Sequence, residues 1–322
     1  MVAVTTQSQV KAKQVRLSHR VVYWVARAVI GVAARVPQWL GYRAAAWLGR
    51  LWFRLDKRRR RYALRFLRNA YPELSEREHL RLGSSATANL FMVPLDMARL
   101  TRLLARGGSL EEVVDYSRAP CLAEVKPPFL GLSAHLGSWE VGACAVAQRV
   151  GGAHGIARVS RNPLLNDWLL RNRANGGLII HPRRGGFRDL ARAVEGGSVG
   201  LQVVDQNQRL RGVFVPFFGE LASTERAAAS LALRRGYPIV IGTALRRGYR
   251  FRFDLIINGP FHLQRTGNKQ EDLLAAVKRI NQELERLIRE GPDQYLWIHD
   301  RYRTQPKVGE VVAADEGDSS DE

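Results

Sequence analysis

A histidine and a glutamate lie five positions apart in the stretch H-L-G-S-W-E at 135–140. An apolar run at 129–132 precedes them, and apolar residues at helical spacing follow. This pattern predicts a buried strand, a tight turn that carries His135, and a helix with Ser138 near its N-cap. Across such a turn, the imidazole of His135 and the carboxylate of Glu140 can meet.

A histidine at this place can act as a general base, and a carboxylate on its second ring nitrogen would fix the tautomer and stabilise the imidazolium. Such a pair can deprotonate a hydroxyl group that attacks an activated acyl carbon. Backbone N–H groups at Gly137 and at the helix start, together with an arginine, could hold the resulting oxyanion. The spacing H-x-x-x-x-E is loose, however. A structural histidine beside a surface glutamate would give the same letters, so the spacing alone leaves both interpretations open.

The sequence offers little for other kinds of catalysis. Ser133 does not lie in the G-x-S-x-G pattern of a nucleophile elbow, and no H-E-x-x-H, P-loop or G-x-G-x-x-G motif is present. The two cysteines, Cys121 and Cys144, suggest neither a disulfide framework nor a zinc site. We therefore expect no metal ion and no cofactor.

Strand and helix patterns alternate in the second part of the chain. Apolar runs predict buried strands at 129–133, 155–159, 178–181, 198–204 and 239–245. Helical patterns occur between them at 138–150, 162–175, 186–196 and 223–235. This alternation predicts an α/β fold with a mixed, mostly parallel central sheet flanked by helices. His135, Asp205 and Arg158 lie at or near strand ends, where such sheets bind ligands.

The N-terminal part predicts two amphipathic helices, at about 18–35 and 38–55. Arginines interrupt their apolar residues, so that no uncharged stretch approaches the roughly 18–20 residues that a bilayer-spanning helix needs. Cationic helices rich in tryptophan favour a membrane interface, which is the placement we expect. Packing of both helices on the protein's own core is the alternative.

The net charge of +20 and the pI near 10.9 indicate attraction to polyanions. Five consecutive basic residues at 57–61 follow the two amphipathic helices and favour contact with anionic lipid head groups. A nucleic-acid-binding tract is the alternative, but no nucleic-acid-binding motif accompanies the run. We therefore expect an anionic membrane surface, and no nucleic acid, as a partner.

These patterns divide the chain into four regions. They are a disordered basic tail at 1–17, membrane-interfacial helices at 18–55, an α/β domain at 56–306 and a disordered acidic tail at 307–322. Within the third region, Ser75 and Glu78 form an S-x-x-E capping box that predicts the start of a long helix.

Several blocks in sequence order resemble the bacterial lipid A biosynthesis acyltransferases, the late lauroyl and myristoyl transferases within the lysophospholipid acyltransferase group. The blocks are A-Y-P-E-L-S at 70–75, H-L-G-S-W-E at 135–140, A-R-V-S-R-N-P-L-L-N at 157–166, V-V-D-Q-N at 203–207, V-F-V-P-F-F-G at 213–219 and P-D-Q-Y-L-W-I-H-D-R-Y-R at 292–303. The resemblance covers roughly residues 20–306. It implies a fold similar to the glycerol-phosphate and lysophospholipid acyltransferases.

The resemblance also implies an activity: transfer of a fatty acyl chain from a thioester, on acyl carrier protein or coenzyme A, to a hydroxyl of a membrane glycolipid or lysolipid. In that family pattern His135 is the general base and Glu140 is its partner in a dyad. The implied substrate-binding residues are Arg158, Asp205, Arg161, Arg173 and Gly137. Arg158 would bind acceptor phosphate or stabilise the oxyanion. The alternatives without a catalytic role are a surface ion pair for Arg158 and a helix or turn cap for Asp205.

The acceptor stays open between lipid A precursors and phosphatidylinositol mannosides. Two further alternatives are thioesterase-like hydrolysis and a catalytically inactive, basic membrane- or nucleic-acid-binding protein. The resemblance places the protein at the cytoplasmic face of the bacterial inner membrane, as a monotopic or peripheral protein.

Overall fold

The computed structural model describes residues 15–158 and 160–307. The predicted disorder of the two tails falls mostly on residues 1–14 and 308–322, which lie outside this described part.

Four helices precede the sheet in the described part of the chain. They are α1 (Leu17–Ala33), α2 (Gln38–Leu55), α3 (Lys57–Ala70) and α4 (Glu76–Ala105). The first two confirm the predicted N-terminal helices. Within residues 15–158 and 160–307, no helix has the length and apolarity that crossing a membrane requires. The capping box is also confirmed, because Ser75 Oγ accepts a hydrogen bond from Glu78 N while the Glu78 carboxylate accepts from Ser75 N at 2.8 Å.

Helix α3 begins with the basic run at 57–61. Asp56 caps this helix by accepting a hydrogen bond from Arg59 N at 2.9 Å. The opposite face is apolar and buries Phe66, whose ring lies 4.9 Å from that of Trp297 and 5.2 Å from that of Tyr302. The helix therefore joins the N-terminal part of the molecule to the last described segment of the chain.

The sheet region contains nine strands and six helices in the described residues. The strands are β1 (Val114–Asp115), β2 (Leu130–Ser133), β3 (Ala153–Ala157), β4 (Leu178–Pro182), β5 (Val199–Val203), β6 (Val213–Phe217), β7 (Glu220–Thr224), β8 (Ile239–Arg246) and β9 (Phe253–Phe261). The helices are α5 (Cys121–Glu124), α6 (Trp139–Arg149), α7 (Pro163–Asn175), α8 (Gly186–Glu195), α9 (Ala227–Arg235) and α10 (Lys269–Arg289).

The central sheet has seven strands in the order β1-β9-β8-β2-β5-β3-β4. Its described pairs are parallel except for β8 with β9, which confirms the mixed, mostly parallel α/β fold. Strands β6 and β7 form a separate antiparallel hairpin. The helix predicted at 223–235 therefore starts later, at Ala227, because 220–224 is used as a strand.

The pairing of β2 with β5 fixes which strand ends meet. Ser133 lies opposite Val203, and Val204 N donates to Ser133 O at 3.0 Å beyond the last paired residues. His135 comes two residues after Ser133, and Asp205 comes two residues after Val203. The register thus brings these two residues to the same point of the carboxyl edge.

A buried ion pair connects the helical layer to the sheet. Arg246, at the end of β8, donates through Nε to both carboxylate oxygens of Asp96 at 3.1 and 3.0 Å, and both side chains are fully buried. Tyr42 of α2 adds a hydrogen bond to Asp96 at 2.7 Å, and Asn89 of α4 accepts from Arg246 Nη1 at 3.0 Å. Burial, and next the charge of Asp96, raises the pKa of Tyr42 well above its ordinary value.

The substitution Asp96→Asn removes the negative charge and leaves Arg246 buried without its counter-ion. We expect a loss of roughly 3–5 kcal/mol in the free energy of unfolding, as is typical when one partner of a buried pair is removed. Chemical denaturation measures it. Glu195→Gln, which breaks an exposed ion pair with Arg235 at 2.8 Å, is the matched control and should change stability much less. Equal losses in the free energy of unfolding for the two variants would contradict the larger contribution that we assign to the buried pair.

Candidate active site

His135 lies directly after β2 and is held by Asp205, which lies directly after β5. His135 Nδ1 is 2.7 Å from Asp205 Oδ1, and the backbone N–H of His135 donates to Asp205 Oδ2 at 3.0 Å. The second ring nitrogen, Nε2, is 3.3 Å from the side-chain amide nitrogen of Gln206. An ionised carboxylate accepts only, so it requires a proton on Nδ1. Nε2 then carries the lone pair, which accepts an N–H of the Gln206 amide in this structure and can accept a proton from a hydroxyl group that takes the place of that amide.

Asp205 is buried, with 2% of its surface exposed. Burial disfavours its negative charge, but the charge of His135, two hydrogen bonds from His135 and the charge of Arg301 outweigh this effect. Together they lower the pKa of Asp205 below its ordinary value. The carboxylate therefore stays ionised at neutral pH and can stabilise a protonated imidazole.

Arg301 supplies a positive charge that acts on Asp205, and it is itself buried. Its guanidinium donates to Ser223 O at 2.8 Å and to Thr224 Oγ1 at 2.7 Å, and it lies 5.0 Å from the ring centre of Phe217. Strands β6 and β7 therefore hold this arginine in place. The sequence analysis did not identify Arg301 as a site residue, although it belongs to the C-terminal block at 292–303.

The backbone after His135 is fixed by close packing on β8. Gly137 has a φ of +59°, and a Cβ atom at this position would lie 2.2 Å from Ala244 O. Its N–H donates to Gln294 O at 3.1 Å, and the next N–H, of Ser138, donates to Ala244 O at 2.8 Å. Both N–H groups are thus already used, which corrects the expectation that Gly137 N–H serves as an oxyanion donor. Gly137 instead allows the close approach that positions His135.

The segment after α10 also contacts the histidine. Leu296 N donates to His135 O at 3.1 Å. His299 Nε2 accepts from Asn207 N at 3.0 Å, and burial lowers the pKa of His299 to about 4, so its ring stays neutral at neutral pH. These bonds fix the backbone on both sides of the His135–Asp205 contact.

Glu140 does not contact His135 in the structure. Its carboxylate accepts from Arg173 Nε at 3.0 Å and from Arg173 Nη2 at 2.6 Å, in a bidentate ion pair. Although burial disfavours the charge of Arg173, Glu140 raises the pKa of this arginine above its ordinary value. The expected His135–Glu140 dyad is therefore replaced, in this geometry, by a His135–Asp205 contact, and the Glu140–Arg173 pair joins the start of α6 to the end of α7.

The other two expected substrate-binding arginines, Arg158 and Arg161, lie on the connection between β3 and α7. Both are exposed, and neither has a hydrogen bond or ion pair with any residue of the described part. Asn162 closes this connection by accepting a hydrogen bond from Leu165 N at 3.3 Å as the N-cap of α7. Because β3 neighbours β5, Arg158 follows the strand next to the one that carries Asp205. These two guanidinium groups remain available for an anionic ligand.

The sequence also gave no indication of Gln206 as a site residue. It directly follows Asp205 in V-V-D-Q-N, and its place next to a carboxylate at a strand end is the only signal that could have identified it. Taken together, the site contains a histidine with one protonated and one proton-accepting nitrogen, an ionised partner, and unpaired arginines along the same edge of the sheet. Such an arrangement can remove a proton from a hydroxyl group and bind an anionic substrate.

Comparison with known sequences places the chain in a family. Residues 9–304 match the family model described as bacterial lipid A biosynthesis acyltransferase. The lipid A biosynthesis lauroyltransferase of Escherichia coli is 27% identical over 88% of this chain and 92% of its own length. The lipid A biosynthesis myristoyltransferase of the same organism is 26% identical over 90% of each chain.

Among solved structures, the 1-acyl-sn-glycerophosphate acyltransferase of Thermotoga maritima matches 77% of this chain and 98% of that chain, with 13% identity and a TM-score of 0.34. The family match rests on the sequence and extends over nearly the whole described part. The chain belongs to the bacterial lipid A biosynthesis acyltransferase family and is therefore an acyltransferase.

Proposed function

We propose that the protein transfers a fatty acyl chain from an acyl thioester to a hydroxyl group of a lipid A-type glycolipid at the membrane surface, with His135 as general base. The contact of 2.7 Å between His135 Nδ1 and Asp205 carries this proposal, because it leaves Nε2 as a proton acceptor. The names of the relatives from Escherichia coli, a lauroyltransferase and a myristoyltransferase of lipid A biosynthesis, support a fatty acyl donor and a glycolipid acceptor.

In the proposed reaction, His135 Nε2 takes the proton of the acceptor hydroxyl as its oxygen attacks the thioester carbonyl carbon. The tetrahedral intermediate then collapses, the carbon–sulfur bond breaks, and the leaving thiolate takes the proton from the imidazolium. Asp205 stabilises the imidazolium between these two steps. Acyl carrier protein and coenzyme A both supply such thioesters, and the reaction as proposed needs no cofactor.

We assign the exposed guanidinium of Arg158 to the acceptor phosphate or to the developing oxyanion, with Arg161 beside it on the same loop. Guanidinium groups match phosphate oxygens through paired N–H donors. Arg173 acts differently in this proposal. The guanidinium of Arg173 is already paired with the carboxylate of Glu140. Arg173 therefore orients α7 and the loop that carries Arg158, and it does not bind substrate directly.

Membrane association follows from the outward faces of the first two helices. Large apolar side chains are exposed on α1 at Leu17, Val21, Val22, Trp24, Val25, Val29 and Val32, and on α2 at Trp39, Leu40, Trp47, Leu48, Leu51 and Leu55. An apolar face of this extent, with arginines between its residues, is typical of a helix that lies in a membrane interface. We propose a peripheral or monotopic position on the cytoplasmic face of the inner membrane. Helix α2 also buries Tyr42 and Phe53 against the core, so the core-packing alternative holds for one face only.

The decisive experiment identifies the product. The purified protein is incubated with acyl-carrier-protein or coenzyme A thioesters and a membrane lipid extract, and mass spectrometry follows the lipids. We expect one glycolipid species to gain the mass of an acyl chain with loss of water. Release of free fatty acid alone would indicate hydrolysis, and an unchanged thioester would indicate an inactive protein.

His135→Ala should lower kcat by about 10²–10⁴-fold, the usual contribution of a well-placed general base, because no other group then accepts the hydroxyl proton. Sedimentation with vesicles should show unchanged membrane binding. Near-normal turnover of this variant would exclude His135 as the base.

Asp205→Asn and Glu140→Gln together decide which carboxylate serves the histidine. We expect Asp205→Asn to lower kcat at least about 100-fold, because the amide cannot stabilise the imidazolium. Glu140→Gln should lower the free energy of unfolding by breaking the pair with Arg173, with the smaller effect on kcat. The reverse order of the two kcat losses would restore Glu140 as the partner of His135.

The double variant Val25→Asp with Val29→Asp tests the membrane face of α1. Burial of each valine in the membrane interface contributes on the order of 1.5 kcal/mol to the free energy of binding, so vesicle binding should weaken at least about tenfold. Leu80→Asp with Ile179→Asp is the control, because these exposed apolar residues lie outside α1 and α2. Equal loss of binding in both double variants would contradict a specific membrane role for α1.

A further inference from the structure

A cavity of about 600 Å³ lies between the end of α4, the link from α1 to α2, and the segment before β9. The charged side chains that line it are four arginines and one carboxylate: Arg99, Arg102, Arg106, Arg252 and Glu112. None of them belongs to the loops after β2, β3 and β5 that form the candidate active site. The cavity is therefore a separate feature with a strongly positive lining.

Three of these guanidinium groups are held by neutral carbonyl oxygens. Arg102 Nη1 donates to Ala34 O at 3.2 Å, Arg99 Nη2 donates to Val36 O, and Arg252 Nη1 donates to Glu112 O. Such bonds fix the position of a guanidinium but do not neutralise its charge.

The single carboxylate is used by the fourth arginine, since Glu112 Oε2 accepts from Arg106 Nη2 at 2.9 Å. Three positive charges thus remain around the cavity without a carboxylate partner among the described residues. In addition, Arg99 Nε is buried without a hydrogen-bond partner. Leaving a buried donor unsatisfied is unfavourable, so the lining favours a ligand with several acceptor oxygens.

The cavity adjoins the apolar surface that we assign to the membrane. Its walls include Ala34 and Gln38, and the neighbouring residues Val32 and Trp39 are 65% and 60% exposed. Leu103 and Phe251 add apolar wall beside the arginines. If α1 and α2 lie in the membrane interface as proposed, a cavity beside them would lie near the lipid head groups. Its volume exceeds what a bare phosphate ion occupies.

We propose that this cavity binds the phosphate-bearing head group of an anionic membrane phospholipid, with the guanidinium groups on the phosphate oxygens and the apolar wall against the glycerol end. A guanidinium group can donate two parallel hydrogen bonds to phosphate oxygens. Basic side chains close to an anionic leaflet are in addition attracted electrostatically to its lipids. The bound lipid anchors the corner between α1 and α2 and so orients the catalytic edge at the membrane. This inference rests on the membrane association proposed above.

The test compares two charge-matched double variants in binding to vesicles of phosphatidylglycerol and phosphatidylcholine. Arg102→Gln with Arg252→Gln removes two uncompensated charges from the cavity and keeps amide donors for the two carbonyls. Arg234→Gln with Arg265→Gln removes two exposed charges elsewhere. The cavity variant should bind at least about tenfold more weakly, given roughly 1 kcal/mol for each basic group near the surface, and the control should change less than about twofold.

Equal weakening of both variants would overturn the proposal, because a general effect of net charge would then explain the loss. Thermal unfolding of both variants checks that the fold is retained. Turnover with a detergent-dispersed acceptor should stay within about twofold of the wild type for both, since none of the four arginines lies in the catalytic site.

Soluble lipids separate this proposal from the proposed membrane association. Calorimetric titration with dihexanoyl-phosphatidylglycerol below its micelle concentration should show one saturable site that the cavity variant loses, and dihexanoyl-phosphatidylcholine should bind more weakly. If the wild type does not bind vesicles but binds the soluble anionic lipid, the proposed membrane association is wrong and the assignment of the cavity is supported. If inorganic phosphate binds as tightly as the soluble lipid, the site is a free-phosphate site and the lipid assignment is wrong.

Discussion

The parallel register between β2 and β5 is the constraint on which the candidate site depends. With Ser133 opposite Val203, His135 and Asp205 leave the sheet side by side, and both the imidazole and the backbone N–H of His135 reach the same carboxylate. A shift of one residue would turn the side chains of one strand to the other face of the sheet. The contact between the imidazole and the carboxylate is therefore produced by the pairing of two distant strands, and the short motif around His135 would not create it alone.

Residues from several elements hold the His135–Asp205 contact in a fixed position. Gly137 lets the chain pass against β8, and the segment at 294–299 bonds to the backbone on both sides of the contact. The charge of Arg301 favours the ionised carboxylate of Asp205. A general base is effective when its geometry is fixed before the substrate binds. This explains why a block far away in the sequence, at 292–303, belongs to the same site as 135–140. It supplies the support and the charge that keep Asp205 ionised.

Local patterns in the sequence were sufficient for much of the fold. The apolar runs predicted β2, β3, β4, β5 and β8 to within about two residues, but not the short β1, and the capping box at Ser75 predicted the start of α4. These features depend on neighbours in the chain. The order of strands depends on packing between distant segments, so the sequence could place His135 and Asp205 at strand ends but could not show that those strands are adjacent. The spacing favoured Glu140 as the partner of His135 because the two residues are close in the sequence. Only the fold shows that Glu140 pairs with Arg173 instead.

The N-terminal helices connect the catalytic edge to the proposed membrane surface. Asn162, which caps α7 just after Arg158 and Arg161, also donates to His19 O of α1 at 2.9 Å, and Arg27 of α1 lies 5.9 Å from the ring centre of Trp168 in α7. Helix α1 therefore carries the exposed apolar face and at the same time supports the loop with the unpaired arginines. A lipid surface that binds α1 would hold this loop beside the head groups. In the proposed arrangement, the first helix would therefore contribute to acceptor binding as well as to membrane attachment.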